Sequence, residues 1–287
     1  MQGKIRRGLV FAALTISICL LPSLAKASKS HWRKPYPKNV IIMISDGCGF
    51  NHVDAASLYQ YGATGKQLYE KFPFRAAMST YEAGQTYDPC DAWSYFNFVK
   101  IEYTDSAAAA TAMSCGEKTY DGAIGVDMDQ FPLKHIALRA EELGKSTGVI
   151  TSVQFSHATP AGFVAHNISR NNYAEIAREM IYNSATDVIM GAGHPGFNNS
   201  GQPLMTDPNT WQYKYVGGMT TWTELLLGTA GNDADGDGLS DPWTLIQSRA
   251  EFQNLTTGNT PKRVIGVAQT ATTLQQARSG DGNADPF

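Results

Sequence analysis

The chain has 287 residues, of which 43% are apolar and 17% are charged. This length is sufficient for one large α/β domain, and the composition is that of a folded protein rather than a low-complexity or disordered one. The formal net charge is −3. Neither nucleic acid nor an anionic membrane surface is therefore an expected partner.

The first residues have the pattern of a secretory signal peptide. Cations in residues 4–7 precede an apolar run over residues 9–21, and a small-x-small pattern follows at residues 25–27. A membrane anchor would need about 20 apolar residues, and this run is shorter and is followed by Pro22. We expect cleavage after residue 27 and export to the periplasm or the extracellular space. Removing residues 1–27 takes away four cations and no anions, which leaves 19 basic and 26 acidic residues and a net charge of −7.

Three cysteines remain after this cleavage, namely Cys48, Cys90 and Cys115. Export permits disulfides, but an odd number leaves at least one thiol unpaired or paired outside the chain. The sequence leaves open whether Cys90 pairs with Cys115.

Short, nearly continuous apolar runs predict strands that are buried on both faces of a sheet. They cover residues 39–44, 148–153 and 187–190, and a fourth strand is predicted over residues 262–267. Helical patterns lie between the runs. This alternation predicts a doubly wound, mostly parallel α/β sheet, in which ligands bind at the carboxyl ends of the strands.

Two helices are predicted from apolar residues at intervals of three and four. The first begins near Pro132, which suits a first turn, and ends before Gly144, which suits a helix stop. The second stripe covers residues 173–181. The pattern weakens over residues 198–260, where we predict a large insertion in a single domain that spans residues 28–287.

The most informative stretch surrounds Ser106. Thr104 is a good N-cap and the alanines behind it are strong helix formers, so Ser106 is expected in the first turn of a helix. Phosphate is favoured at such a terminus, and a serine there can attack phosphorus and carry the phosphoryl group. Neither a Ser-His-Asp arrangement nor a Gly-x-Ser-x-Gly elbow surrounds this serine, so a metal is the remaining route to its activation. The alternative is an ordinary serine in a capped core helix.

Three further residues follow predicted strands and carry groups that bind hard cations. Asp46 comes after the first strand, and its carboxylate suits zinc or magnesium. His157 and Thr159 come after the second strand and project to one side of an extended segment. The threonine hydroxyl is an oxygen of the kind that magnesium takes. The alternatives are an Asp-Gly turn and a polar turn at a strand end.

Arg170 is the candidate phosphate ligand. Its planar guanidinium can bind phosphate through two hydrogen bonds, and Asp105, next to the serine, could hold it in place. The alternative is a solvated arginine at a helix start.

A separate acidic stretch matches the start of a calcium-binding loop. Asp233, Asp235 and Asp237 stand at alternate positions, and a glycine, Gly238, occupies the sixth. The closing glutamate is missing, because the twelfth position is Thr244. Calcium binding and a plain acidic turn both remain open.

In this order and spacing, four motifs resemble alkaline phosphatase. They are the Ser-Asp-Gly at residues 45–47, the Thr-Asp-Ser-Ala-Ala at 104–108, the His-Ala-Thr-Pro-Ala at 157–161 and the Ser-Arg at 169–170. The resemblance covers about residues 37–193. It implies an alkaline phosphatase fold and the hydrolysis of small phosphate monoesters with release of inorganic phosphate.

The resemblance also implies roles for individual residues. Ser106 would be the phosphorylated nucleophile and would also contact zinc. Asp46 would bridge magnesium and one of two zincs. Thr159 would bind magnesium, and His157 would bind that ion or lie beside it. Arg170 would hold the phosphate.

The sequence departs from the family in its metal ligands. The family takes the remaining ligands of both zincs from the second half of its chain, whereas here His194 is the only histidine after His166. The resemblance therefore implies a fold that is incomplete at the C-terminus, a truncated chain and weak or no activity. Alternatives are a related sulfatase or phosphodiesterase, expected to carry Cys or Thr in place of Ser106, and a non-catalytic exported calcium- or phosphate-binding protein. The oligomeric state stays open, with a homodimer among the options.

Overall fold

A computed structural model describes residues 37–101, 103–258 and 260–274 of the chain. The predicted signal peptide lies outside the described residues. No helix in these ranges combines the length and the apolar character needed to cross a membrane. The described residues divide into two units, the first within Met1–Ile44 and the second within Ser45–Phe287.

The described part of the first unit, residues 37–44, contains no strand. Val40, Ile41 and Met43 are 76%, 84% and 92% exposed. The prediction of a buried strand over residues 39–44 is therefore wrong. A continuous apolar run becomes a buried strand only where neighbouring strands pair with its backbone and other layers cover its side chains. Residues 37–44 are not paired into a sheet.

Within the described residues, the second unit begins with five α-helices and then combines strands with helices. Its helices are α1 (Phe50–Tyr61), α2 (Pro89–Ser94), α3 (Phe98–Ile101), α4 (Ser106–Cys115), α5 (Ile136–Glu141), α6 (Ala158–Ala161), α7 (Tyr173–Tyr182), α8 (Met219–Leu227) and α9 (Arg249–Asn254). Its strands are β1 (Gly148–Gln154), β2 (Val188–Ala192), β3 (Gly231–Asn232), β4 (Asp241–Pro242), β5 (Thr244–Ile246) and β6 (Val264–Val267). Short 3-10 helices lie at Leu68–Lys71, Pro208–Thr210 and Tyr213–Val216.

A parallel sheet organises this unit. Its strands lie in the order β1, β2, β6, β5, and each neighbouring pair is parallel. Strands β1, β2 and β6 match the predicted runs over residues 148–153, 187–190 and 262–267 to within two residues at each end. Helices α6 and α7 form the crossover from β1 to β2, as a parallel connection requires. The mostly parallel α/β fold is confirmed.

The core of this unit lies where helix α7 and the helices near the site meet the sheet. The predicted stripe of α7 is confirmed: Tyr173 at its start is half-buried, and the residues behind it are 0% exposed, namely Ile176, Ala177, Met180 and Ile181. They share one core cluster with Phe155, Ile189 of β2 and Ile265 of β6. Burying each large apolar side chain contributes about 1.5–3 kcal/mol. This packing fixes the carboxyl end of β1, which leads directly into the site.

The helix predicted from Pro132 exists but begins later, at Ile136. Pro132 instead forms an isolated bridge with Val126, so tertiary pairing draws it into extended backbone. His135 caps the helix, and its Nδ1 accepts the N–H of Leu138 at 3.0 Å. Burial and the charge of a neighbouring histidine lower the pKa of His135 to about 4, so its ring is neutral and can accept this hydrogen bond.

The predicted insertion over residues 198–260 contains α8, α9 and the strands β3 to β5. Strands β3 and β4 form a small antiparallel ladder, whereas β5 pairs with β6 and belongs to the parallel sheet. The insertion as a whole stays a prediction.

Cys48, Cys90 and Cys115 are all free thiols, so the structure has no disulfide between Cys90 and Cys115. Cys115 is partly buried, at the end of helix α4. Burial raises the pKa of its thiol, and the group is therefore protonated near neutral pH.

Candidate active site

Ser106 is the first residue of helix α4, and Asp105 is the N-cap. The Oδ1 atom of Asp105 accepts the N–H of Ala108 at 2.8 Å. The first-turn position of Ser106 is as predicted, but the prediction of Thr104 as the N-cap is wrong. A carboxylate forms a stronger, charge-assisted bond to a helix N–H than a hydroxyl does, and the Thr104 hydroxyl instead donates to the carbonyl of Asp105 at 3.4 Å.

The Asp46 carboxylate links two hydroxyl groups from distant parts of the chain. Its Oδ1 accepts the Ser106 hydroxyl at 3.0 Å, and its Oδ2 accepts the Thr159 hydroxyl at 2.9 Å. Asp46 is followed by Gly47, whose φ of 68° is the left-handed conformation that glycine adopts without strain. The structure thus gathers one carboxylate and two hydroxyls, the hard oxygen ligands that magnesium prefers.

His157 follows β1 and is the N-cap of the short helix α6, which also carries Thr159. Its Nδ1 atom is buried and has no hydrogen-bond partner within the described ranges. Burial and the positive charge of Arg170 lower the pKa of His157, and the negative charge of Asp46 acts in the opposite direction. The ring is therefore neutral near pH 7, and a neutral imidazole has one nitrogen lone pair that can bind a ligand.

Arg170 and Asp105 form a partly buried ion pair, with Nη1 to Oδ2 at 2.9 Å and side chains that are 22% and 14% exposed. One open pocket contains this pair together with Asp46 and Ser106. The other residues that line it are Gly47, Tyr103, Thr104 and Ala109. The serine hydroxyl and the guanidinium therefore face the same space, as two groups that bind one phosphate must.

His166 lies four residues before Arg170, and both of its ring nitrogens face acceptors. Nδ1 is 3.0 Å from Oε1 of Glu179, and Nε2 is 2.9 Å from the carbonyl oxygen of Leu133. Two acceptors need two ring N–H groups, which only the imidazolium has. Burial alone would lower the pKa of His166, but the hydrogen bonds to Glu179 and Leu133 and the charge of Glu179 raise it. These contacts of His166 thus hold the start of the arginine segment, residues 166–170.

The acidic loop forms a second group of carboxylates that does not line this pocket. One carboxylate oxygen from each of Asp233, Asp235 and Asp237 lies within 4.8 Å of the others, and all three residues are exposed. Lys262 already pairs with Asp235 at 2.7 Å. Thr244, at the twelfth position of the loop pattern, lies in strand β5.

Two residues that contact the site, Asp121 and Gly122, belong to no motif that the sequence alone reveals. The Asp121 carboxylate accepts the N–H of Asp105 at 2.8 Å, and the Gly122 carbonyl accepts the N–H of Arg170 at 2.7 Å. An Asp-Gly pair is a common turn sequence. Only the hydrogen bonds to Asp105 and Arg170, which are distant in sequence, distinguish this pair from other Asp-Gly turns.

The structure thus combines a parallel α/β sheet with a pocket that a serine, an aspartate and an arginine share. The sequence model of the family described as alkaline phosphatase matches residues 37–286. The chain belongs to the alkaline phosphatase family.

Curated relatives in this family match part of the chain. Alkaline phosphatase 3 of Bacillus subtilis (strain 168) is 35% identical over 201 residues, which are 68% of this chain and 41% of that protein. Alkaline phosphatase of Escherichia coli (strain K12) is 33% identical over 181 residues, which are 56% of this chain and 36% of that protein. The chain thus spans about two fifths of the length of the curated relatives that it matches.

Solved structures of alkaline phosphatases have the same fold. The cold-active enzyme from Shewanella sp. matches with a TM-score of 0.57 and 27% identity, over 83% of this chain and 48% of that chain. The enzyme from the Antarctic bacterium TAB5 matches with a TM-score of 0.55 and 26% identity, over 85% of this chain and 58% of that chain. A mutant of the TAB5 enzyme, 25% identical with a TM-score of 0.55, was solved with Mg bound in a site called M3.

Proposed function

We propose that the chain is a metal-dependent phosphomonoester hydrolase in which Ser106 is transiently phosphorylated. One observation carries the proposal: the Ser106 hydroxyl is at a helix start, 3.0 Å from the Asp46 carboxylate, in a pocket that also contains Arg170. Family membership supports the same reaction class. The expected substrates are small phosphate monoesters.

Each residue has a physical task in this proposal. The guanidinium of Arg170 binds two phosphate oxygens, while Asp105 keeps its fork facing the pocket. The N-terminus of the ten-residue helix α4 favours the negative charge of the phosphate. The Ser106 oxygen forms a bond to phosphorus as the ester bond breaks and the alcohol leaves with a proton. Water then hydrolyses the phosphoserine and releases inorganic phosphate.

The residues at the site fit magnesium better than they fit two zincs. Asp46, Ser106 and Thr159 offer three oxygens linked by hydrogen bonds through the Asp46 carboxylate, and His157 adds a buried nitrogen without a partner among the described residues. A catalytic zinc normally has three protein ligands, and of the described residues only Asp46 and Ser106 are expected to contact zinc. When bound, the metals would make the serine a better nucleophile and stabilise charge on the phosphoryl group.

This shortage of zinc ligands leads to an expectation about rate. The chain by itself should bind phosphate but hydrolyse esters weakly or not at all, because the described residues provide too few ligands for a metal that generates hydroxide. Fast hydrolysis of an aryl phosphate by the purified chain with zinc and magnesium would show that other residues of the chain supply the missing ligands. An aryl sulfate, supplied in parallel, tests the sulfatase alternative and should not be cleaved.

The covalent step can be tested directly. The chain is incubated with magnesium and an aryl phosphate labelled in its phosphoryl group, quenched in acid, and compared with Ser106→Ala and with Ser94→Ala, an exposed serine away from the pocket. Label on the unchanged chain and on Ser94→Ala, but not on Ser106→Ala, is the expected result. Label retained by Ser106→Ala would contradict the assignment of the nucleophile, and no label on any chain would contradict the covalent step.

Calcium binding at the acidic loop is a second, separate proposal. It is supported by the convergence of three carboxylates within 4.8 Å and opposed by Lys262, which competes for Asp235. Calorimetric titration with Ca²⁺ should show a site that Asp233→Asn removes. A non-catalytic calcium-binding protein would show this heat without any labelling of Ser106.

Export is proposed from the first 27 residues. Mass spectrometry of the secreted protein should find Ser28 at the amino terminus. An intact amino terminus in the membrane fraction would contradict cleavage.

A further inference from the structure

A two-residue turn connects the serine helix to the arginine segment. Asp121 and Gly122 form this turn six residues after the end of helix α4. Gly122 has a φ of 88°, a left-handed conformation that would strain a residue with a Cβ atom. Glycine at this position therefore allows the turn to form without strain.

The side chain of the turn holds the residue before the serine. Oδ1 of Asp121 accepts the backbone N–H of Asp105 at 2.8 Å. The carboxylate of Asp105 is already engaged on both oxygens, with the N–H of Ala108 at 2.8 Å and Nη1 of Arg170 at 2.9 Å. Asp105 is thus fixed from its backbone and from its side chain, and Ser106 is the next residue.

The backbone of the same turn holds the arginine. The carbonyl oxygen of Gly122 accepts the N–H of Arg170 at 2.7 Å. Two further backbone bonds join Ile124 and Asn167, at 2.9 Å and 2.8 Å. A Cβ atom on Gly125 would overlap the carbonyl oxygen of Ala165, so glycine is what allows the two segments to approach this closely.

We propose that Asp121 is a positioning residue for phosphate binding. Its carboxylate accepts a hydrogen bond from the Asp105 N–H, and the adjacent Gly122 carbonyl accepts one from the Arg170 N–H. One turn therefore sets the separation between the serine oxygen and the guanidinium. This inference rests on the proposed phosphate site. In this proposal Asp121 does not contact the substrate. It positions Ser106 and Arg170, which do.

The test measures binding of inorganic phosphate by isothermal titration, with the 287-residue chain and magnesium present. Asp121→Ala should weaken binding about tenfold, the upper range for loss of one hydrogen bond. Asp121→Asn keeps an acceptor oxygen in place and should stay within about threefold of the unchanged chain. Asp121→Glu keeps the charge but moves the acceptor by one methylene, and should resemble Asp121→Ala. Asp129→Ala, an exposed aspartate on the same loop, is the matched control.

A double-mutant cycle with Arg170→Ala distinguishes positioning of the arginine from a purely structural role of Asp121. If Asp121 acts through the arginine, Asp121→Ala should cause little further loss in the Arg170→Ala background. Independent, multiplying losses would overturn the inference, as would equal binding by Asp121→Ala and the unchanged chain, or equal weakening by Asp121→Asn and Asp121→Ala. If Asp121→Ala does not fold, the phosphate affinities of Asp121→Asn and Asp121→Glu are compared instead, and the inference requires tighter binding by Asp121→Asn. Absence of phosphate binding by the unchanged chain would overturn the proposed function and this inference with it, whereas the other outcomes leave the function standing.

Discussion

Residues 45–103 and residues 104–196 differ sharply in how they are packed. In the first region Tyr59, Phe74 and Trp93 are 96%, 85% and 91% exposed, and Ser57 is the one buried residue among those whose burial is described there. In the second region many apolar side chains are fully buried, Phe155 among them. Apolar side chains are present in both regions. The difference shows that an apolar sequence forms a core only where a sheet or another helix covers it.

The candidate site draws on both regions. Asp46 comes from the loosely packed one, whereas Ser106, Thr159 and Arg170 come from the packed one. The carboxylate is joined to the packed region through its two hydroxyl hydrogen bonds. A metal at this point would therefore bind the two regions to each other as well as serve the reaction.

The largest expected effect comes from opening a cavity in the packed region. Phe155→Ala should lower the free energy of unfolding by about 3–5 kcal/mol, the usual cost of removing a buried phenyl ring. The matched change in the loosely packed region, Phe74→Ala, should alter it by no more than about 0.5 kcal/mol because the ring is already in water. Urea denaturation followed by circular dichroism measures both. Equal losses of unfolding free energy in the two variants would mean that Phe74 is buried in solution. The two regions would then not differ in packing.

A smaller effect is expected from removing the residue that is proposed to bind phosphate. Arg170→Ala should weaken inorganic phosphate binding by about 1.5–3 kcal/mol, the range for hydrogen bonds to charged groups. Arg139→Ala, an exposed arginine of helix α5 that pairs with Glu142, should leave binding unchanged. Magnesium content should be equal in both variants because a guanidinium has no lone pair to offer as a ligand to the ion. Unaltered phosphate affinity in Arg170→Ala would refute its role.

Much of the fold can be predicted from the sequence, because burial on both faces leaves a strong pattern. The runs that form β1, β2 and β6 are predictable as strands, and the stripe of α7 as a helix. The run over residues 39–44 is just as apolar, yet it is not a strand in the structure. Whether a run is paired depends on its neighbours in space, and the sequence of the run does not contain that information.

The site can be predicted only where chemistry shows in the residue type. A serine at a helix start, an aspartate after an apolar run and an arginine after an Asn-Ile-Ser stretch carry a resemblance, and the structure brings Asp46, Ser106 and Arg170 into one pocket. Their roles stay predictions. Asp121 cannot be found in this way, because its contact with Asp105 joins a side chain to a backbone N–H across 16 residues of sequence.

A pH-dependent effect should distinguish the two regions further. The pKa of His166 is raised by Glu179 of helix α7 and by the Leu133 carbonyl, so the stability it contributes is complete below the ordinary histidine pKa of 6.5 and is lost as pH rises through the raised value. His135, stacked on it at 5.2 Å, has a pKa lowered to about 4 and acts oppositely, reducing stability as pH falls below 6.5.

The measurement is thermal unfolding of the packed region between pH 6 and 9, with His166→Gln as the variant. The midpoint of the unchanged chain should fall across this range, and that of the variant should fall less. Tryptic cleavage of residues 45–103 should not follow the same curve, because His166 belongs to the other region. Parallel pH curves for the chain and the variant would contradict a charged His166.

The smallest expected effect tests whether a metal joins the two regions. Trypsin can cleave the loosely packed region after Lys66, Lys71 and Arg75. A ligand that binds only when Asp46 lies against Thr159 shifts local opening by mass action. Magnesium at twice its dissociation constant should therefore slow cleavage there about threefold, provided that Asp46 must leave the site for trypsin to act.

Thr159→Val is the control that makes this prediction sharp. Valine keeps the shape of threonine but removes both the hydrogen bond to Asp46 at 2.9 Å and one candidate oxygen ligand. Cleavage of this variant should be faster without magnesium and should no longer respond to it, while cleavage within residues 198–260 should be equal in all samples and serves as the internal reference. A magnesium response that persists in Thr159→Val would mean that the ion binds elsewhere. Equal rates with and without magnesium in the unchanged chain would mean that the two regions are held together by the protein alone.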